Sequence, residues 1–339
     1  MKAPFAKDNI KIAVIGGGTG SFMLLSSLKN HSSRIAALVN MADNGGSTGQ
    51  LRDELGALPP GDVRQCLVAL SESPKVRDLF NSRFEDGSVK GHAFGNLFLA
   101  ALEKMTGNFA EAVELAGEVL NITGTVEPIT LSNVTLVLDK SGGEEVRGEF
   151  EIAHLDFGGH RPTLRLDPQG EPSMRALEAI KTADMVVIAP GNLYGSLAPA
   201  LLVEGIGEAL TASKAKKVYV CNLVTKPGQT DNFAVHDFAD EIERLAGSNF
   251  LDAVLYNTEP PSADLMQRYA KEGETPVQVD EAKLGAAHYT AFGKPLLSQD
   301  VWQPDTSTDS IAATRTLIRH DSEAVAHELM ELYESLRLN

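Results

Sequence analysis

Basic residues are scarce in this chain of 339 residues: Lys and Arg number 30 against 46 Asp and Glu, a net charge of −16. That surplus repels phosphate polymers at long range, which excludes a general nucleic-acid binder or a protein that coats anionic membranes. Any anion site must be local, built from backbone amides and a few arginines. Cysteine is scarcer. Cys66 and Cys221 are the only two, far apart and without a C-x-x-C pair, so a zinc ribbon and a disulfide scaffold are excluded and a reducing compartment is expected. Both read as small buried hydrophobes. No apolar run approaches the ~20 residues of a membrane span. The opening stretch MKAPFAKDNIKIAVIGGG lacks the apolar h-region of a secretory signal, and a cytoplasmic location is expected. H-x-x-x-H and G-x-S-x-G are both missing, which weighs against a zinc hydrolase and a serine hydrolase.

What is present is α/β texture. Ile10 to Ile15 is a short β-branched run that ends in Gly16-Gly17-Gly18-Thr19-Gly20, and a helical pattern follows from Phe22 to Leu28. Ile35 to Val39 runs into a second glycine turn, Asn44 to Gly49. These apolar runs are continuous rather than alternating, as in parallel strands buried on both faces. Asp62, after Leu58-Pro59-Pro60-Gly61, reads as the N-cap of a helix over Val63–Leu70. Two further helices are expected, over Gly91–Met105 and Ala110–Leu120. From 121 to 160 the texture changes to that of an antiparallel insertion, with strands near Ile129–Leu131, Val134–Leu138 and Val146–Ile152. Phe157 to Pro172, rich in Gly and Pro, reads as a connection. Strands then resume at Met185–Ile188, Lys217–Cys221 and Ala253–Tyr256. Each is followed by a helix, near Leu197–Leu210, Phe233–Leu245 and Ala263–Ala270, and a last helix is expected over Ser322–Leu336. The expected architecture is one doubly wound, mostly parallel α/β domain over 1–339, with a small antiparallel β insertion at 121–160. In such a sheet the loops at the carboxyl ends of the strands bind ligands.

The glycine loops narrow the chemistry. A dinucleotide fingerprint G-x-G-x-x-G would fall on Gly16, Gly18 and Ser21, so its third glycine is missing, and Asn40 stands where an acid should grip a ribose. The phosphate-binding pattern G-x-x-x-x-G-K-[ST] is absent too. Gly16 to Gly20 still lets backbone amides approach an anion at a helix N-terminus; the alternative is a tight turn without a ligand. The second run, Asp43-Asn44-Gly45-Gly46-Ser47-Thr48-Gly49-Gln50-Leu51-Arg52, combines an acid, hydroxyls, glycines and an arginine. Those types suit phosphate together with a metal or a sugar hydroxyl. Arg52 and Arg64 could equally be solvated or paired structurally, Asp62 a helix cap, and His92, in Gly91-His92-Ala93-Phe94-Gly95-Asn96, a hydrogen-bonded structural residue.

The blocks GGGTG, ADNGGSTGQLRDELGALPPGDVRQCL, GHAFGNL, APGNLYGSLAPALL and CNLVTKPGQTDNF, followed late in the chain by NTEPP, RYAKEG and LIRHD, resemble the gluconeogenesis-factor (YvcK/CofD-like) family. The resemblance runs in order over roughly residues 10 to 330. One branch of that family is the nucleotide- and magnesium-dependent 2-phospho-L-lactate transferase of deazaflavin coenzyme F420 biosynthesis. The other is a bacterial cytoplasmic factor that binds UDP-sugars and is needed for growth and cell shape on gluconeogenic carbon sources. LPPGDVRQCL and CNLVTKPGQTD are more similar to the second branch. The family usually shows two adjacent acids before GGS. Here Asp43 is followed by Asn44, which weighs against an acid-based metal site.

The resemblance implies a UDP-sugar ligand such as UDP-N-acetylglucosamine. It implies contacts from Gly17, Gly18, Thr19, Asp43, Asn44, Gly45, Gly46, Ser47, Arg52, Asp62, Arg64, His92, Asn96, Gly191, Asn192, Tyr194, Asn222, Tyr269 and Arg319. On the transferase alternative Asp43 would hold magnesium or orient the acceptor hydroxyl; on a third, the protein is a scaffold with a vestigial pocket. A homo-oligomer and partners from cell-envelope regulation stay open.

Overall fold

The strands bury both faces, and their side chains show how. Along β1 (Lys11–Gly16), Ile12 and Val14 enter one core while Ala13 and Ile15 enter another on the opposite face. The same alternation divides Met185 and Val187 from Val186 and Ile188 in β7 (Met185–Ile188). A strand covered on both sides has no polar face, so the sequence shows a continuous apolar run. The first core is closed by α1 (Gly18–His31), α3 (Gly61–Leu70) and the helix Ser322–Leu338. The second is closed by helices that include Met174–Thr182 and Val235–Ala246. The computed structural model describes residues 10–140, 142–262, 266, 273–298 and 319–338.

Among the described residues, seven strands form one parallel sheet. With β2 (Arg34–Val39), β3 (Thr125–Pro128), β8 (Lys216–Val220), β9 (Ala253–Asn257) and β10 (Thr290–Lys294), the order is β10-β9-β8-β7-β1-β2-β3. The chain winds outward from β1 through β2 to β3, returns to β7 beside β1, and winds the other way to β10. The order therefore reverses between β1 and β7, which pair from Ile12↔Met185 to Ile15↔Ile188. There the loops after the two strands diverge and leave a crevice. The doubly wound fold expected from the sequence is the fold observed. No helix among the described residues is long and apolar enough to cross a membrane.

The antiparallel sheet has the order β5-β4-β6, from β4 (Thr135–Asp139), β5 (Glu145–Arg147) and β6 (Thr163–Asp167). Three local expectations change here. The segment before β4 contributes Thr125–Pro128 to the parallel sheet beside β2 rather than a strand over Ile129–Leu131. The strand expected over Val146–Ile152 stops at Arg147; Gly148, at φ 107°, turns the chain into a short helix, Glu149–Ile152, that buries Ile152. The stretch read as a connection contains β6, whose Leu164 and Leu166 point into the core while Arg165 pairs with Asp139 and Glu145 on the outer face. That alternation, flanked by Gly and Pro, is the pattern of a sheet with one wet face.

Candidate functional site

The crevice between β1 and β7 opens into a cavity of about 450 Å³, a size suited to a small organic ligand. Its floor is the glycine loop Gly17–Gly20, facing Pro190, Gly191 and Asn192 from the loop after β7. Asn222 to Lys226, after β8, form a second wall, and Arg319, His320, Ser322 and Val325 a third. Asn222 locks two of these loops together: its amide donates to the Gly191 carbonyl at 2.7 Å and its side-chain oxygen accepts from Gly191 N–H at 3.3 Å. Asn192 Oδ1 accepts from Gly195 N–H at 3.3 Å and fixes the following turn.

The glycine loop is shaped for close approach. Gly18 sits at φ 63°, a left-handed conformation that favours glycine. Gly20 packs so tightly that a Cβ there would overlap the Pro190 carbonyl oxygen. Gly20 therefore does the work that the missing third fingerprint glycine would do, one position early, and Ser21 fits at the expected position. At the end of β2, Asn40 Oδ1 accepts from Ala42 N–H at 3.0 Å. A turn-forming amide, not a ribose-gripping carboxylate, stands there. α1 begins without a side-chain cap, so its first-turn amides are open to an acceptor. One is already used: Gly18 N–H donates to the Asp62 carboxylate. Asp62 thus lies in the first turn of α3 behind Pro60, rather than at its N-cap, and holds the start of α1 instead.

Behind the glycine loop the second cluster of expected residues forms a polar network of its own. Ser47 Oγ bonds His92 Nδ1 at 2.9 Å and accepts from the Asn96 amide at 3.1 Å. Asn96 Oδ1 accepts from Arg64 Nε at 2.9 Å, and Arg64 also reaches Asn81. Asp43 Oδ1 accepts from Gly45 N–H at 2.9 Å, in the turn that leads through Gly46 into α2 (Gly46–Leu55). Arg52 donates to the carbonyls of Asp43 (3.0 Å) and Val134 (2.9 Å) and to Asn133 (2.6 Å), clamping this turn to the β insertion. Asn44 donates to Glu151 at 2.9 Å and accepts from Phe150 N–H at 2.8 Å. A second aspartate at 44 would face Glu151 with like charge and lose that donor, which is a local reason for asparagine here. None of these residues lines the 450 Å³ cavity.

Three carboxyls gather in this region. Burial raises Asp43 and Asp62, each against partial relief from the Arg64 charge. Glu149, from the insertion, is pushed up to about 7, first by burial and then by the Asp43 charge, with Lys226 acting in the opposite direction. Their oxygens are the kind magnesium prefers. Yet among the described residues no group of three His, Cys, Asp or Glu side chains is placed to hold a metal ion.

A further expected contact, Tyr194, also lies away from the cavity. It is fully buried in the second core, edge-on to Phe157 with ring centroids 5.2 Å apart. Tyr269 lies outside the described residues. Conversely, the cavity includes Lys226, Glu274 and His320, none of them among the expected contacts. Lys226 stands inside the quoted CNLVTKPGQTD block, and its Nζ donates to the Ala153 carbonyl at 2.6 Å.

Residues 12–297 match the model of the family described as 2-phospho-L-lactate transferase CofD. The chain is 38% identical over 325 residues to the gluconeogenesis factor of Bacillus subtilis, covering 95% of this chain and 98% of that protein. It belongs to the gluconeogenesis-factor family, with a CofD-like domain. The gluconeogenesis factor of Halalkalibacterium halodurans is 44% identical over 278 residues, 81% of this chain and 86% of its own length. A crystal structure of a UPF0052-family member from Bacillus halodurans is similar to this fold with a TM-score of 0.85 at 38% identity, covering 95% of this chain and 99% of that one.

Proposed function

We propose that this member of the family is a cytoplasmic, UDP-sugar-binding regulatory factor that couples gluconeogenic growth to cell shape. The observation that carries the reading is the cavity at the strand-order reversal. Uncapped amides of α1 meet Arg319 and Lys226 across it, on a molecule whose net charge is −16. Local cations and helix-end amides concentrated at one point favour a compact diphosphate over a polymer. A thermal-shift panel of UDP-sugars, NAD, GDP and ATP tests this. UDP-N-acetylglucosamine or a related UDP-sugar is expected to stabilise most, by about 2.7 kcal/mol at 100 times Kd. NAD alone shifting the melt would contradict it.

A second reading, a transferase similar to the 2-phospho-L-lactate enzyme, is favoured by one feature: a buried Glu149 held near 7 beside Asp43, a value suited to proton transfer. Asp43 or Glu149 would then take the proton of an acceptor hydroxyl. Magnesium-dependent product formation from a phospholactyl nucleotide and a deazaflavin acceptor would establish that reading.

A further inference from the structure

One side chain in the cavity uses only half of its hydrogen-bonding capacity. His320 is set in place by its backbone: it bridges Leu297 in antiparallel fashion, while Ser298 N–H donates to the Arg319 carbonyl at 2.9 Å and Asp321 N–H to the Leu296 carbonyl at 2.8 Å. From that position the ring donates to the Cys221 carbonyl, just beyond β8. The other nitrogen, Nε2, is buried and has no partner among the described residues. A neutral imidazole whose Nδ1 carries the donated proton presents Nε2 as a bare acceptor. Burial holds the ring down to about 4, so it stays neutral at physiological pH.

A buried acceptor without a donor is costly, and in a ligand cavity the ligand is the natural source of that donor. The donor does not come from a diphosphate, whose oxygens only accept at neutral pH. His320 therefore marks a different end of the cavity from the phosphates. Met23, Leu24, Leu223 and Val325 also line the cavity and supply apolar surface for the flat faces of a heterocycle. Uracil carries one ring N–H, at N3, between two carbonyls. Cytosine has a bare acceptor at the same position.

We infer that His320 Nε2 accepts a hydrogen bond from the uracil N3–H of the bound nucleotide and so selects uridine over cytidine. The inference rests on the UDP-sugar reading and adds the residue that recognises the base. The bond needs no contact with the sugar, so UDP itself is a sufficient probe.

Calorimetric titration of UDP and N3-methyl-UDP into the native protein and into His320→Phe tests it. Phenylalanine keeps the bulk of the ring and removes the acceptor. The native protein is expected to bind UDP at least about tenfold more tightly than N3-methyl-UDP, which corresponds to about 1.4 kcal/mol. In His320→Phe UDP affinity falls by a similar factor and the gap between the two ligands closes. Equal binding of both ligands by the native protein would overturn the inference and point to a hydroxyl donor instead. A gap that persists in His320→Phe would also overturn it, because methyl bulk alone would then explain the loss. If the variant does not fold, UDP against CDP on the native protein decides: a loss of at least tenfold for CDP is expected, and equal affinity overturns the assignment. Should the native protein bind no uridine nucleotide, the functional reading itself has failed, an outcome separate from the others.

Discussion

Arg319→Ala is expected to weaken UDP-sugar binding at least about tenfold while barely moving the unliganded melting temperature. Arg319 lines the cavity opposite the glycine loop, and its backbone is pinned by the Ser298 N–H. A guanidinium pairs with two phosphate oxygens at once, which an ammonium cannot reproduce. Charge-assisted hydrogen bonds contribute about 1.5–3 kcal/mol, and 1.4 kcal/mol is about tenfold in Kd. The backbone bonds that hold this segment survive truncation of the side chain, so stability should change little. Arg319→Lys should recover only part of the affinity. Calorimetry on folded variants decides between site and scaffold: unchanged affinity with a large loss of stability would place Arg319 in the structure alone.

Gly20→Ala should cost on the order of 3 kcal/mol of stability, the upper range for overpacking at a tight contact. The added methyl would overlap the Pro190 backbone oxygen, so relief requires the loops after β1 and β7 to separate. Those loops form the cavity, so nucleotide binding should fall as well, even at temperatures where the variant is folded. Urea unfolding measures the first effect as a lower midpoint with an unchanged slope. Gly46→Ala is the comparison: a Cβ there meets nothing within 4 Å, although φ is 45° and some backbone strain remains. If Gly20→Ala were no more destabilising than Gly46→Ala, the close packing of the two loops would not be a determinant of the fold.

The strands of the central sheet were legible in the sequence because burial on both faces leaves no polar position to interrupt them. Ile10–Ile15, Ile35–Val39 and Met185–Ile188 are such runs. β10 was not legible: Thr290–Lys294 lies at the sheet edge, half-exposed, with a glycine and a lysine among five residues. β6 was hidden by the Gly and Pro on either side of it, although Leu164 and Leu166 alternate correctly. In the site, local spacing identified the glycine loop and the loops after β7 and β8, since turn residues after a buried strand mark the carboxyl rim. It could not tell that Arg64 bonds Asn96, that His92 and Asn96 bond Ser47, and that Arg52 bonds the backbone and Asn133, instead of lining the cavity. That depends on partners 32 to 82 residues away, which no local pattern encodes. Tyr194 was implied as a contact by the family resemblance alone, but the turn of Leu193–Leu197 directs it inward to Phe157.

The central claim is that a nucleotide sugar lies across the reversal of strand order between β1 and β7. A crystal structure grown with UDP-N-acetylglucosamine tests it most directly. The diphosphate is expected against the amides of Thr19 and Gly20, within hydrogen-bonding reach of Arg319, with the cavity between Gly191 and His320 filled. Ligand density among Asp43, Ser47 and His92, with the 450 Å³ cavity empty, would contradict the account.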